Sequence, residues 1–285
     1  MKRFKYLIET AGLAWLFAIF RMLPLDAASW VGGFLMRAIG PLLPAHRTAA
    51  NNLSLAFPAM PAQEKRRLLA AMWDNLGRTA AELPHLSGEA LHRRVTLHGT
   101  ENIPAEGRPT IFFSGHLGNW ELTYPLAHHR GLPVTLIYRK ANNPYVDKII
   151  TRIRATQSTD MLPKGPGGSI KLARTIKSGR SLAMLVDQKM NDGISVPFFG
   201  RNAMTAPAIA EFALRYGMPL IPVRVVRVRG CHFEAFVYPP LHYEKTGDEA
   251  RDVLAIMTQI NALLESWIRE HPEQWFWVHK RWPRD

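Results

Sequence analysis

In the stretch TIFFSGHLGNWEL, residues 110–122, a histidine stands where an apolar run ends, and Glu121 follows His116 five positions later. Neutral imidazole is the commonest general base near pH 7, and a carboxylate on its far nitrogen fixes the tautomer and stabilises the imidazolium. General-base help of this kind is worth roughly 10²–10⁴ in rate. On an ideal helix, residues five apart are separated by about 140°. The pair therefore meets only if His116 lies outside the helix, in a turn folding back over its first residues, and Gly115 and Gly118 supply the backbone freedom for that. The competing reading has both residues at a helix N-terminus, where a carboxylate is favourable without any chemistry. Spacing alone leaves both open. Other chemistries fit the stretch less well. Ser114 lacks the glycine two residues earlier that a nucleophile elbow requires. No H-E-x-x-H occurs, and His128, His129, His232, His242, His271 and His279 show no ligand spacing, so no metal site is expected.

Further residues suit an anionic ligand. Arg139 ends the run VTLIYR as a fixed cation, fit for a phosphate or a developing oxyanion, or for a surface ion pair. Asp187 closes SLAMLVD and either orients Arg139 or a substrate hydroxyl, or caps a helix. Arg201 lies in the glycine-bearing FFGRN, as a phosphate contact or a solvated turn. KGPGGS, residues 164–169, precedes a helical pattern but lacks Walker spacing and loses a donor at Pro166, so it reads as a flexible entry loop.

The elements that must position these residues are visible as alternating patterns. TIFFS (110–114), PVTLIY (133–138), SLAMLV (181–186), PLIPVRVVRV (219–228) and HFEAFVY (232–238) are short runs rich in β-branched or aromatic residues, bounded by Gly and Pro. Helical patterns separate them at 120–129, 143–156, 168–177 and 206–216, and a last one spans 248–270 with Val253, Met257, Ile260, Leu264 and Trp267 on one stripe. This alternation predicts an α/β fold, a central mixed sheet covered by helices. His116 would then sit at the carboxyl end of a strand, where open α/β sheets bind ligands. The alternation of apolar and basic residues in PVRVVRVR predicts a strand with one side facing solvent or an anionic surface. Residues 25–94 read as a helical lead-in, with the clearest amphipathic helix beginning at Pro61 and carrying Leu68, Leu69, Met72, Trp73 and Leu76.

The 285 residues carry 36 Lys+Arg against 23 Asp+Glu, a formal +13 that calls for a polyanionic partner: nucleic acid, anionic membrane, or an acidic protein or phosphorylated substrate. The single cysteine, Cys231, excludes an intrachain disulfide and a multi-cysteine zinc site. The N-terminus, MKRFKYLIETAGLAWLFAIFRMLPL, places an apolar run at 11–20 between Glu9 and Arg21, shorter than the ~20 residues of a spanning helix. The favoured reading is a membrane anchor over residues 1–24, interfacial or marginally spanning, with Trp15 near the boundary and cations at headgroup level. A cleaved signal peptide and an ordinary buried helix are the alternatives. EQWFWVHKRW, with three tryptophans beside Lys280 and Arg281, reads either as a second interfacial segment or as aromatic core. The aromatic residues form no array on a strand face, and no known nucleic-acid-binding motif appears, which weighs against nucleic acid.

SGHLGNWEL resembles the signature of the late, lauroyl/myristoyl, lipid A biosynthesis acyltransferases, and more distantly the H-x-x-x-x-D/E motif of glycerolipid acyltransferases. YRKANNP (138–144), LVDQ (185–188), VPFFGRNAMT (196–205) and HPEQWFWVHKRW (271–282) agree in order, so the resemblance spans nearly the whole chain. It implies a membrane-bound O-acyltransferase at the cytoplasmic face of the bacterial inner membrane. The donor would be an acyl-thioester carried by acyl carrier protein, and the acceptor a hydroxyl of a phosphorylated glycolipid, with no cofactor. His116 would match the catalytic base and Glu121 its partner. Asn119 would hold the turn, or merely start a helix, and Arg139, Asp187 and Arg201 would contact substrate. A related acyltransferase with another lipid acceptor is the alternative, and a basic nucleic-acid-binding protein the alternative of another class.

Overall fold

The computed structural model describes residues 2–104, 108–123, 133–155, 160–164 and 168–282. Four long helices lead: α1 (Lys2–Met22), α2 (Leu25–Ile39), α3 (Pro44–Ala56) and α4 (Ala62–Glu82), followed by the short α5 (Glu89–His92). The core sheet has seven strands in the order β1-β9-β8-β2-β5-β3-β4. They are β1 (Val95–His98), β2 (Ile111–Ser114), β3 (Val134–Tyr138), β4 (Asp160–Pro163), β5 (Ser181–Leu185), β8 (Leu220–Arg229) and β9 (His232–Val237). All neighbours are parallel except β8 and β9, so the sheet is mixed, as expected. Between the strands lie α6 (Pro144–Ala155), α7 (Gly168–Lys177) and α8 (Ala208–Tyr216), and α9 (Glu249–Glu270) closes the helical set. A separate antiparallel hairpin, β6 (Lys189–Phe198) and β7 (Arg201–Thr205), turns at Phe199 and Gly200, both at positive φ.

The sequence explains the layering. Parallel strands covered on both faces read as continuous apolar runs, and every residue of β2 is buried. Its neighbours in sequence point to opposite faces: Ile111 and Phe113 enter the large core with α9, while Phe112 joins Leu136, Ala183 and Ile221 in another cluster. The stripe Val253, Met257, Ile260, Leu264 and Trp267 of α9 is buried as its period predicts. Helices α2 and α4 cross at bare backbone: a Cβ on Gly77 would stand 2.1 Å from the Gly32 carbonyl oxygen.

The fold decides between some of these expectations and revises others. No described helix is long and apolar enough to cross a membrane, and α1 packs Phe17 and Phe20 onto the protein, so a spanning anchor is not what residues 1–24 form. The basic residues of β8 divide between the two faces of the sheet: Arg224 is buried and paired with Glu270, Arg227 is paired with Glu82 on the other face, and Arg229 at the strand's end is exposed. The terminal tryptophans are core, with Trp275, Trp277 and Trp282 at 1%, 0% and 4% exposure. The turn after His116 is extended, and the helical pattern expected from residue 120 opens as a single 3₁₀ turn at Trp120–Leu122. Of the pattern expected over 120–129, residues 124–129 lie outside the described residues, as do 156 of the next helix and 165–167 of the glycine-rich stretch.

Candidate active site

Strands β2, β3, β4 and β5 run parallel, and their carboxyl ends deliver His116, Arg139, Lys164 and Asp187 to one edge of the sheet. His116, Arg139 and Lys164 line a cleft of about 460 Å³ at that edge, with Trp120, Gln188 and Phe276 among its other walls. Asp187 sits beneath, fully buried.

The carboxylate that holds His116 is Asp187, not Glu121. Imidazole Nδ1 lies 2.6 Å from Asp187 Oδ1, and the His116 backbone N–H donates to Oδ2 at 2.7 Å. With Nδ1 held by Asp187, Nε2 faces the cleft, 3.4 Å from the Gln188 amide nitrogen. Trp275 Nε1–H completes the carboxylate with a 2.8 Å bond to Oδ2. Burial alone would raise the Asp187 pKa, but the charge of His116 and its hydrogen bonds outweigh it and hold the carboxyl well below the ordinary range. The imidazole is further fixed by Phe276, stacked at 5.6 Å, and by Trp120, edge-on at 5.2 Å.

Glu121 turns the other way. It accepts two bonds from Arg154 of α6, 2.8 Å from Nε and 2.5 Å from a terminal nitrogen, and one from Trp120 Nε1–H at 3.1 Å. Its carboxylate side chain is 6% exposed and fixes Arg154 at the cleft wall. The five-residue spacing fails to join Glu121 to His116 because the intervening turn is extended rather than helical.

Asn119 is not positioned for substrate either. It is 1% exposed, accepts the Glu121 N–H at 3.2 Å and donates to Glu82 Oε2 at 2.8 Å. Arg139 is exposed at the cleft and has no ion-pair partner among the described residues. Arg201 opens β7 opposite Phe198, exposed and away from the residues that line the cleft. Cys231 is buried between Asp26 and Arg94, and desolvation pushes its thiol up to about 12, which makes it an inert core residue. Among the described residues no cluster of His, Cys, Asp and Glu could hold a metal ion, and His128 and His129 lie outside them.

Two supports of the histidine turn carry no signal that spacing could reveal. From the C-terminal side, residues 274–276 pair with the turn: Gly118 N–H donates to Gln274 O, Leu117 bridges Trp275, and Phe276 N–H donates to His116 O. From behind, one polar stripe of α4 reaches it. Asn75 and Thr79 both donate to Gly118 O, at 3.1 Å each, and Glu82 holds Asn119. Arg227 of β8 knits that stripe, bonding Asn75, Thr79 and both oxygens of Glu82. Gly118 itself has φ +56, and a Cβ there would stand 2.3 Å from Val225 O. Glycine is thus the residue this crossing allows.

A parallel-edged α/β sheet presents a histidine–aspartate pair in a cation-lined cleft, an arrangement suited chemically to proton transfer beside negative charge. A sequence model of the bacterial lipid A biosynthesis acyltransferases matches residues 1–284. The chain belongs to that family and is an acyltransferase. It is similar to the lipid A biosynthesis lauroyltransferase of Escherichia coli K12, 27% identical over 243 residues that cover 81% of this chain and 76% of the relative. To the palmitoleoyltransferase of the same organism it is 23% identical over 283 residues, 95% of this chain and 88% of the relative. To an acyltransferase of lipid A biosynthesis in Haemophilus influenzae it is 24% identical over 240 residues, 81% and 73%.

Proposed function

We propose that this acyltransferase moves a fatty acyl group from an acyl-thioester on acyl carrier protein to a hydroxyl of a phosphorylated lipid A precursor. His116 acts as general base with Asp187 orienting it. The pairing of His116 Nδ1 with buried Asp187 carries the reading, because it leaves Nε2 free at the cleft. Nε2 takes the proton of the acceptor hydroxyl as its oxygen attacks the thioester carbonyl. The C–O bond forms, the C–S bond breaks, and the imidazolium returns its proton to the departing thiolate. The histidine and the cleft cations are thus enough for direct transfer, with no covalent acyl-enzyme. Arg139 and Lys164 supply positive charge for a substrate phosphate or the developing oxyanion. Glu121 serves by holding Arg154 at the cleft wall rather than by touching the base. On this reading the reaction belongs at the cytoplasmic face of the inner membrane, with the protein held at the surface.

The test is acyl transfer followed by mass spectrometry of the lipid. A tetra-acylated lipid A precursor and a panel of acyl-acyl-carrier-proteins should yield a product heavier by one acyl group. His116→Ala should lose roughly 10²–10⁴ in kcat while remaining folded. Equal turnover by His116→Ala would overturn the role of the histidine. Transfer only to other glycolipids or phospholipids would retain the chemistry and change the acceptor.

A further inference from the structure

Two helices expose large apolar side chains that the fold does not use. On α1 the exposed set is Phe4, Leu7, Ile8, Trp15 and Met22, with Trp15 at 69% and Met22 at 85% exposure. At about 100° per residue all five fall within roughly 60° of one line along the helix. That line runs opposite Phe17 and Phe20, which face the protein. On α2, Trp30 and Phe34 stand one turn apart, stacked at 5.5 Å and both exposed. The 3₁₀ turn at Gly40–Leu42, directly after α2, adds Leu42, 82% exposed. Single exposed apolar residues are ordinary, but contiguous stripes on neighbouring helices mark an interaction surface.

Cations border this surface. Arg37, one turn beyond Phe34, opens a groove of about 560 Å³ shared with Arg67 of α4 and Arg229 at the end of β8. All three are exposed, and among the described residues none has an ion-pair partner. Arg78 and Arg227 also line the groove, neutralised by Asp74 and Glu82, and Glu273 is the other acid on its wall. At the α1 end, Lys2, Arg3 and Lys5 surround the first turn. On its other side α1 packs toward the cleft: Asn143, next to the cleft residue Asn142, donates to the Tyr6 carbonyl at 2.9 Å.

We propose that α2 and the turn after it dock, side by side with α1, into an anionic bilayer, and that the groove of Arg37, Arg67 and Arg229 receives a phosphate of its headgroups. Helices too short or too charged to span, apolar on an outward face and rimmed by cations, lie in the plane of a membrane interface. A second copy of the chain would instead bring one cationic rim against another. The inference stands on the surface itself and needs no turnover to be tested.

The experiment is co-sedimentation of the full chain with vesicles of phosphatidylcholine alone or mixed with phosphatidylglycerol, with circular dichroism as the fold control. Trp30→Glu with Phe34→Glu should weaken binding to the mixed vesicles by about tenfold or more. Arg37→Glu, Arg67→Glu and Arg229→Glu should each cost about fivefold, on the mixed vesicles only, and added salt should erase that difference. Wild-type binding by the folded α2 variant would assign docking to α1 alone and overturn the proposal. Arginine variants that bind both vesicles as wild type does would overturn the headgroup site. A dimer in sedimentation without vesicles, dissolved by the α2 changes, would assign the surface to self-association instead.

Discussion

Asp187 ties three parts of the chain together with one carboxylate: the imidazole, the backbone of the turn after β2, and the indole of Trp275. Asp187→Asn would keep the shape but offer an amide where Nδ1–H needs an acceptor, favouring the tautomer that blocks Nε2 as a base. The expected result is a fall in kcat of roughly 10²–10⁴ with little change in KM, read by steady-state kinetics. Glu121→Gln should act differently. Without its carboxylate Arg154 loses its fixed place at the cleft wall, so KM should rise while the pH profile of kcat keeps its shape. A fall in kcat with KM nearly unchanged, as expected for Asp187→Asn, would show instead that Glu121 acts on the base. His116 was legible in the sequence because a histidine after an apolar strand run is a local pattern. The identity of its partner was not, since Asp187 lies 71 positions away and only the β2–β5 pairing brings the two together. Asn119 does hold the turn, accepting the Glu121 N–H, but its bond to Glu82 could not be read, because no local pattern connects that position of α4 to the turn.

At the scale of elements, the strands flanked by Gly and Pro were readable because both sheet faces are buried and their apolar runs are uninterrupted. The strands that escaped notice are β1 and β4, four residues each, which owe their conformation to a long neighbour, and the hairpin β6–β7, whose polar residues hide its period. The basic residues of β8 mislead for a physical reason: Arg224 and Arg227 stand on opposite faces, where α9 and α4 cover them with Glu270 and Glu82, so of the three only Arg229 at the strand's end is exposed. The α2–α4 crossing gives a test of its own. Gly77→Ala would press a methyl against the backbone of Gly32, and overpacking of this kind costs about 1–3 kcal/mol. At roughly 2–4 °C per kcal/mol for a chain of this size, the melting temperature should drop by several degrees in calorimetry. Because α4 carries the stripe that supports the histidine turn, kcat should fall too, at temperatures where the protein remains folded.

For the molecule as a whole, acid should act through His279. Desolvation lowers its pKa to about 4, against the opposing charge of Asp187, so the folded state keeps it neutral. Between pH 6.5 and about 4 the unfolded chain binds a proton there that the folded chain does not, so stability falls as pH falls through that window. The loss is up to about 3 kcal/mol at one proton and 1.36 kcal/mol per pKa unit. Urea unfolding across this range should show the slope, and His279→Gln should flatten it; an unchanged slope would place the acid sensitivity elsewhere.

The wall that closes the site is also the last part of the described chain to be made. Trp275 holds Asp187, Phe276 stacks on His116, and Arg281, wholly buried, fastens this segment by donating to Met204 O and Thr205 Oγ1. During synthesis the sheet and its histidine leave the ribosome before these residues do. A nascent chain ending short of them has the base without the supports that orient it. A polypeptide stalled before Trp275 is therefore expected to lack acyl transfer even where its sheet has already formed.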